Sequence, residues 1–194
     1  MALTREDNKE ITCKVLYLGP KGSGKTSNLQ ALYSANSAEV QQGLFELEPA
    51  KKPTPFFDFL PLGLGKQGGY DVRLHLFAFP LESPFSALRK ILLTAVDGFV
   101  FVADSRMIRM GENIESLKLA HLFLREEGYL VSDIPHVVQF NRRDELKPMP
   151  LSIMSRELNP FHAPESEAIA TQARGTQETL SLLTRHILNR WVAN

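Results

Sequence analysis

The string "GPKGSGKT", residues 19–26, constrains this chain more than any other. It follows the apolar run "ITCKVLYL" at 11–18 and has the spacing G-x-x-x-x-G-K-T. A strand ending at Leu18 and a helix beginning near Lys25 leave a short glycine-rich turn between them. In such a turn backbone N–H groups converge on one point, and the helix N-terminus adds the positive end of its dipole. Gly22 and Gly24 can take conformations that a Cβ forbids. The arrangement suits a phosphate chain. Lys25 reaches the β- and γ-phosphates, and the Thr26 hydroxyl ligates Mg²⁺. Gly19, Lys21, Ser23 and Ser27 complete the candidate binding set.

The rest of the chain repeats the strand-to-helix pattern. "VRLHLFAF" (72–79), "DGFVFVAD" (97–104) and "PHVVQF" (135–140) are short and rich in β-branched and aromatic residues, so they read as strands. The last two are almost continuously apolar, as strands covered on both faces are. Helical patterns start at Lys25 and cover about 84–95, 111–127 and 176–191. Ile114, Leu117, His121 and Leu124 mark the buried face of the third. Leu180, Leu183, Ile187 and Trp191 mark that of the last, with Gly175 or Thr176 as its cap. The alternation predicts a three-layer α/β fold with a mainly parallel central sheet, in one domain spanning 1–194. Residues 40–71 read as turns and loop, except for an edge strand at "PFFDFL" (55–60) bounded by Pro55 and Pro61.

Composition removes several classes of function. Lys plus Arg equals Asp plus Glu at 22 each, so no basic excess points to nucleic acid. Cys13 is the single cysteine and lies in an apolar strand, which predicts a buried structural thiol in a reducing cytosol. "MALTREDNKE" is no signal peptide, Ala2 does not suit myristoylation, and "NRWVAN" offers no cysteine for prenylation. No direct membrane anchor is expected. His75 and His136 sit within strands and read as packed or surface residues rather than ligands.

A carboxylate decides which base such a loop would serve. "FNRRD" begins on the last residue of "PHVVQF", and Asn141-x-x-Asp144 puts Asp144 at the C-terminal edge of the sheet, where such folds bind ligands. A carboxylate accepts two adjacent donors. Guanine offers N1–H and its 2-amino group in that geometry, and adenine does not. Hydrogen bonds to a charged group contribute about 1.5–3 kcal/mol, enough to discriminate the two bases. In "EAIAT" (167–171) the Ala170 N–H is placed to meet the guanine O6.

Together these strings resemble the MglA family of bacterial Ras-like small GTPases. "GPKGSGKTSNLQ", "TPFFDFLPL", "RLHLF", "VDGFVFVADS", "NIESL", "IPHVVQFNRRD" and "EAIAT" carry the resemblance over almost the whole chain. It implies a cytoplasmic switch between GDP and GTP states that controls cell polarity and motility and is recruited to a cell pole by partners. Those partners are a Roadblock-fold activator of the MglB kind and polar effectors such as response-regulator-like proteins. It implies GTP or GDP with Mg²⁺ as cofactors, and a first switch whose threonine, Thr54 here, joins Thr26 on the metal. Asp58 is a candidate outer-sphere magnesium group. The chain departs from the family where hydrolysis is concerned. The residue before the switch threonine is an arginine in the family and Pro53 here, and Lys51 and Lys52 are out of register. In the second switch, "AFPLES" puts Ala78 at the aspartate, Leu81 at the glycine and Glu82 at the water-orienting glutamine. Ionised Glu82 cannot donate a hydrogen bond and brings negative charge to the phosphate end. Arg142 replaces the lysine of N-K-x-D and can still stack on the base.

Two readings of activity stay open on these residues. One is a switch or scaffold with very slow or absent hydrolysis, which binds guanine nucleotide or has dispensed with it. The other is a working GTPase that borrows catalytic groups from a partner, or uses Glu82 and a first-switch lysine. A phosphate-loop kinase of small molecules is disfavoured by "NRRD" and the family strings. Phe56, Phe57 and Phe59 are either an effector-facing edge or core.

Overall fold

The structure is a computed structural model that describes residues 3–5, 10–36, 45–46, 58–67, 69–82 and 86–192. Thr54, Pro53, Lys51, Lys52, Phe56 and Phe57 lie outside the described residues, as does the side chain of Trp191.

The sheet runs through β1 (Leu3–Arg5), β2 (Glu10–Leu18), β3 (Phe45–Glu46), β4 (Asp58–Gln67), β5 (Tyr70–Ala78), β6 (Gly98–Asp104), β7 (His136–Asn141) and β8 (Glu165–Glu167). Its order is β3-β4-β5-β2-β6-β7-β8, with β1 pairing antiparallel to the start of β2. From β5 to β8 every pair is parallel. β4 runs antiparallel to β5 and forms a hairpin with it, so the sheet is parallel with an antiparallel edge. Without the short β1 and β3, strands 4-5-2-6-7-8 give the order 2-3-1-4-5-6 of a Ras-like G domain. The expected α/β class and mainly parallel sheet hold.

The alternation of side chains along β2 builds two cores. Leu16 and Leu18 face a cluster completed by Leu92 and Leu93 of α2 (Ser86–Leu93), Leu117 and Leu124 of α3 (Met110–Glu126), and Met154 and Leu158 of α4 (Leu151–Leu158). Val15 and Tyr17 face the other, with Leu29 and Leu32 of α1 (Lys25–Ala35) and Leu180, Leu183 and Ile187 of α5 (Thr176–Val192). Every residue of β6 and β7 is buried, in line with their almost continuously apolar runs. Cys13 is fully buried, and burial pushes its thiol up to about 12, so it is inert.

Three expectations are corrected. The edge segment is a ten-residue strand, Asp58–Gln67, rather than a strand confined to 55–60 within loop. Pro61 sits inside it opposite His75, and among the described residues β3 pairs with Asp58 and Phe59. The register slips between Gly63 and Gly65, a bulge that the glycines permit. The buried face of α3 is wider than the apolar stripe: Leu117 and Leu124 are buried and Ile114 packs on the core, but Asn113, Ser116 and Ala120 are buried with them, while His121 is only partly covered. Small and amide side chains let α3 lie close to β6, and Asn113 spans the Asp104 backbone, accepting from its N–H at 2.9 Å and donating to its C=O at 2.8 Å. The sequence reading also omitted α4 and β8, both short and set among prolines.

Of the two positions open to it, His136 takes the buried one, stacked on Phe99 at 4.8 Å, with Nδ1 against the Ile134 carbonyl at 2.8 Å. Phe59 is half-buried and packs on the rings of Phe77 and His75.

Candidate functional site

The C-terminal ends of β2, β6 and β7 lie side by side, and the turn from β2 to α1 passes in front of them. Gly19 and Gly24 have φ of +137° and +102°, and Gly22 +77°, so all three glycines of "GPKGSGKT" use the backbone region that side chains avoid. Gly19 is also tight against the sheet: a Cβ there would stand 2.2 Å from the Val102 carbonyl oxygen.

The six carbonyls from Gly19 to Gly24 all have donors. Lys25 Nζ donates to Gly19 at 2.7 Å and to Pro20 at 2.8 Å. Arg109 Nη2 donates to Lys21 at 2.5 Å, and Arg142 to Gly22 at 3.1 and 3.3 Å. Asn141 Nδ2 donates to Ser23 at 2.7 Å, and the Asn28 side chain and backbone N–H to Gly24 at 2.9 and 3.0 Å. Side chains of α1, of the end of β7 and of the turns after β6 and β7 thus hold its carbonyls and fix its peptide planes. A loop of fixed peptide planes is what an anion cradle requires. The buried Ser23 hydroxyl has no hydrogen-bond partner.

Lys25 is 8% exposed. Burial pulls its ammonium down to about 8, against the upward pull of the Glu82 and Asp58 carboxylates. Asp58 stands directly opposite Ala78 in the β4–β5 ladder. A carboxylate thus stands one strand over from residue 78, where the second switch carries alanine. Asp58 Oδ2 accepts from Thr26 Oγ1 at 2.5 Å. A hydroxyl and a carboxylate oxygen side by side are hard-oxygen donors of the kind Mg²⁺ takes together with phosphate and water. Among the described residues no group of three or more His, Cys, Asp or Glu gathers, so an all-protein metal cage does not compete with that arrangement.

At the other end of the loop, Gly24, Ser27, Asn141, Arg142, Asp144 and Ala170 line one cleft. Asn141 is the hinge of this end: it holds Ser23 with Nδ2, while its Oδ1 accepts the Ala170 N–H at 3.0 Å. The Ala170 N–H, expected to face a guanine O6, thus donates to a protein group in this arrangement. Arg142 has φ of +63°, which brings its guanidinium back over Gly22. A buried chain from Asn28 through Gln139 to Thr179 and Ser166 fixes α1 and α5 to β7 beneath the cleft.

At the glycine position of the second switch, Leu81 is 1% exposed and packs in the core with Phe79, Leu16, Leu18 and Leu92. Glu82 follows it, exposed. The sequence reading missed Arg106, Arg109 and Asp104, which carry no motif. The signal available was the cluster of two arginines directly after "VAD" at a strand end.

No family model matches the chain. The mutual gliding-motility protein MglA of Myxococcus xanthus (strain DK1622) is 40% identical to it over 188 residues, covering 97% of this chain and 96% of that protein. The chain belongs to the MglA family. The phosphate loop and the N-x-x-D strand end meet on one sheet edge, and membership of this family implies guanine-nucleotide binding. Among the described residues no helix is long and apolar enough to cross a membrane.

Proposed function

We propose that this chain is a guanine-nucleotide switch of the MglA type that acts in gliding motility and cell polarity and hydrolyses GTP very slowly or not at all. The observation that carries the nucleotide part is the joining of two ends of one site. A loop with all six carbonyls engaged leads, through Asn141, into the cleft lined by Asp144 and Ala170. In the nucleotide-bound state Lys25 leaves the Gly19 and Pro20 carbonyls for the β- and γ-phosphates. Asp144 takes the guanine N1–H and 2-amino group, and the Ala170 N–H turns from Asn141 Oδ1 to the base. Thr26 and Thr54 ligate Mg²⁺, and Asp58 holds one of its waters in place of a carboxylate at residue 78.

The slow-hydrolysis part rests on charge. An arginine supplied to the transition state typically contributes about 10³–10⁵ in rate. Here residue 53 is proline, and the group at the glutamine position is the Glu82 carboxylate, whose field reaches Lys25. Partners are proposed from the family: a Roadblock-fold activator on the first-switch side and polar effectors that recruit a cytoplasmic protein to one cell pole.

The test is binding of mant-GDP and mant-GTP with Mg²⁺, with mant-ATP as control, while phosphate release is followed in the same tube. Guanine-selective binding without phosphate release is the expected result. Turnover at the rate of an ordinary intrinsic GTPase sinks the slow-hydrolysis part. Absence of binding leaves a nucleotide-independent scaffold as the function.

A further inference from the structure

Asp104 ends β6, and neither phosphate nor base recognition uses it. Its side chain is fully buried, and its Cα pairs with Asn141 in the parallel β6–β7 register. Three arginines converge on it. Arg106 binds both carboxylate oxygens, with Nη2 2.7 Å from Oδ2 and Nε 3.0 Å from Oδ1. Arg109 Nε lies 3.7 Å and Arg142 Nε 3.6 Å from the same Oδ2. Arg109 Nε is buried and has no hydrogen-bond partner, so the Asp104 charge is what offsets it. Arg109 also pairs with Glu112 through Nη1.

Two of these arginines are the ones that hold the phosphate loop from outside: Arg109 on the Lys21 carbonyl and Arg142 on the Gly22 carbonyl. A guanidinium carries five donors in a rigid fork and keeps its charge, so one edge can face a carboxylate while another grips a carbonyl. The arginines come from two different elements. Arg109 closes the turn after β6, and Arg142 opens the turn after β7. Asp104 is the point they share. Without its charge, three guanidinium groups face one another across a partly buried patch and repel.

We propose that Asp104 is a positioning residue that holds Arg109 and Arg142 on the outer carbonyls of the phosphate loop and so sets how long the loop retains a bound nucleotide. This rests on the nucleotide reading above. Releasing a phosphate chain requires the loop's N–H groups to turn away from it. A peptide plane whose C=O is anchored cannot turn until that bond breaks. Because Arg142 also belongs to the base end, the clamp ties phosphate release to base release.

Displacement of mant-GDP by excess GDP reads the retention time directly. Asp104→Asn should speed release about tenfold, the scale set by losing charge-assisted bonds. Arg109→Gln should speed it several-fold. The double variant should release no faster than Asp104→Asn alone, because both changes remove the same grip. Thermal unfolding of each variant separates this from general loosening, which adds across the pair. If Asp104→Asn does not fold, Arg109→Lys serves in its place. One ammonium cannot reach both the carboxylate and Lys21, so release should quicken with folding intact. Release within twofold of the parent in these variants, or independent effects in the double variant, overturns the proposal. If the parent protein binds no mant-GDP, the clamp falls together with the nucleotide reading. If the parent binds and the variants release normally, the clamp alone falls.

Discussion

At the scale of single residues, Lys25 carries a testable consequence of burial. Its folded pKa, about 8, lies below the ordinary 10.5 of a lysine. Between those values the unfolded chain holds a proton that the folded chain has lost, so this group makes stability rise with pH across that window. Below it both states are protonated, and the dependence vanishes. Phosphate binding runs the other way, because only the ammonium form attracts the anion. Affinity for GDP should be flat below pH about 8 and should weaken above it, approaching tenfold per unit. Fluorescence titrations from about pH 7 to 9 check this. Lys25→Arg, which keeps its charge throughout, should bind without that slope. A parent protein whose affinity does not fall above pH 8 would mean that Lys25 is not the phosphate cation.

At the scale of elements, the phosphate loop depends on backbone shape more than on side chains, and two of its glycines separate the causes. A Cβ on Gly24 would stand 2.1 Å from Asn141 Nδ2, whereas one on Gly22 meets nothing within 4 Å. Both have positive φ. Gly22→Ala should therefore cost only the left-handed penalty, about 1–2 kcal/mol. Gly24→Ala adds the loss of the Asn141 bond to Ser23, bringing the total to about 2–4 kcal/mol. Urea unfolding of the pair measures the difference, and equal losses would show that Asn141 can move aside. This loop was legible because its glycines, lysine and threonine have a fixed spacing imposed by one ligand shape. The buried strands were legible because their centres, FVFVA in β6 and Val137, Val138 and Phe140 in β7, are apolar on both faces, with polar residues few and mostly at the ends. β4 was hidden by Pro61, Gly63 and Gly65, which read as turn residues but are tolerated on an edge with a bulge. The arginine clamp was hidden because Arg106 and Arg109 meet Arg142 only once β6 and β7 lie in register, and no local pattern announces that.

At the scale of the whole molecule, the question is which parts can respond to a nucleotide. The second switch begins at Ala78 with Phe79 and Leu81 both 1% exposed in the core beside α2. Withdrawing either side chain costs about 1.5–3 kcal/mol, as much as a typical coupling energy between two sites. Withdrawing both exceeds it. Asp58, by contrast, opens β4 on the antiparallel side of the sheet, and its side chain reaches the Thr26 hydroxyl rather than the core. The response should therefore run through β4 and the segment before it, while residues 78–82 hold still. Amide hydrogen exchange of the GDP-loaded and GTP-loaded protein distinguishes these segments. Protection at 78–82 should agree within about twofold between the two states, while protection around Asp58 should differ by more. Leu81→Gly removes one anchor, and in that variant 78–82 should become sensitive to the nucleotide. If residues 78–82 of the parent already change several-fold, the core contacts of Phe79 and Leu81 yield to the γ-phosphate, and this family member switches at both segments despite its altered sequence.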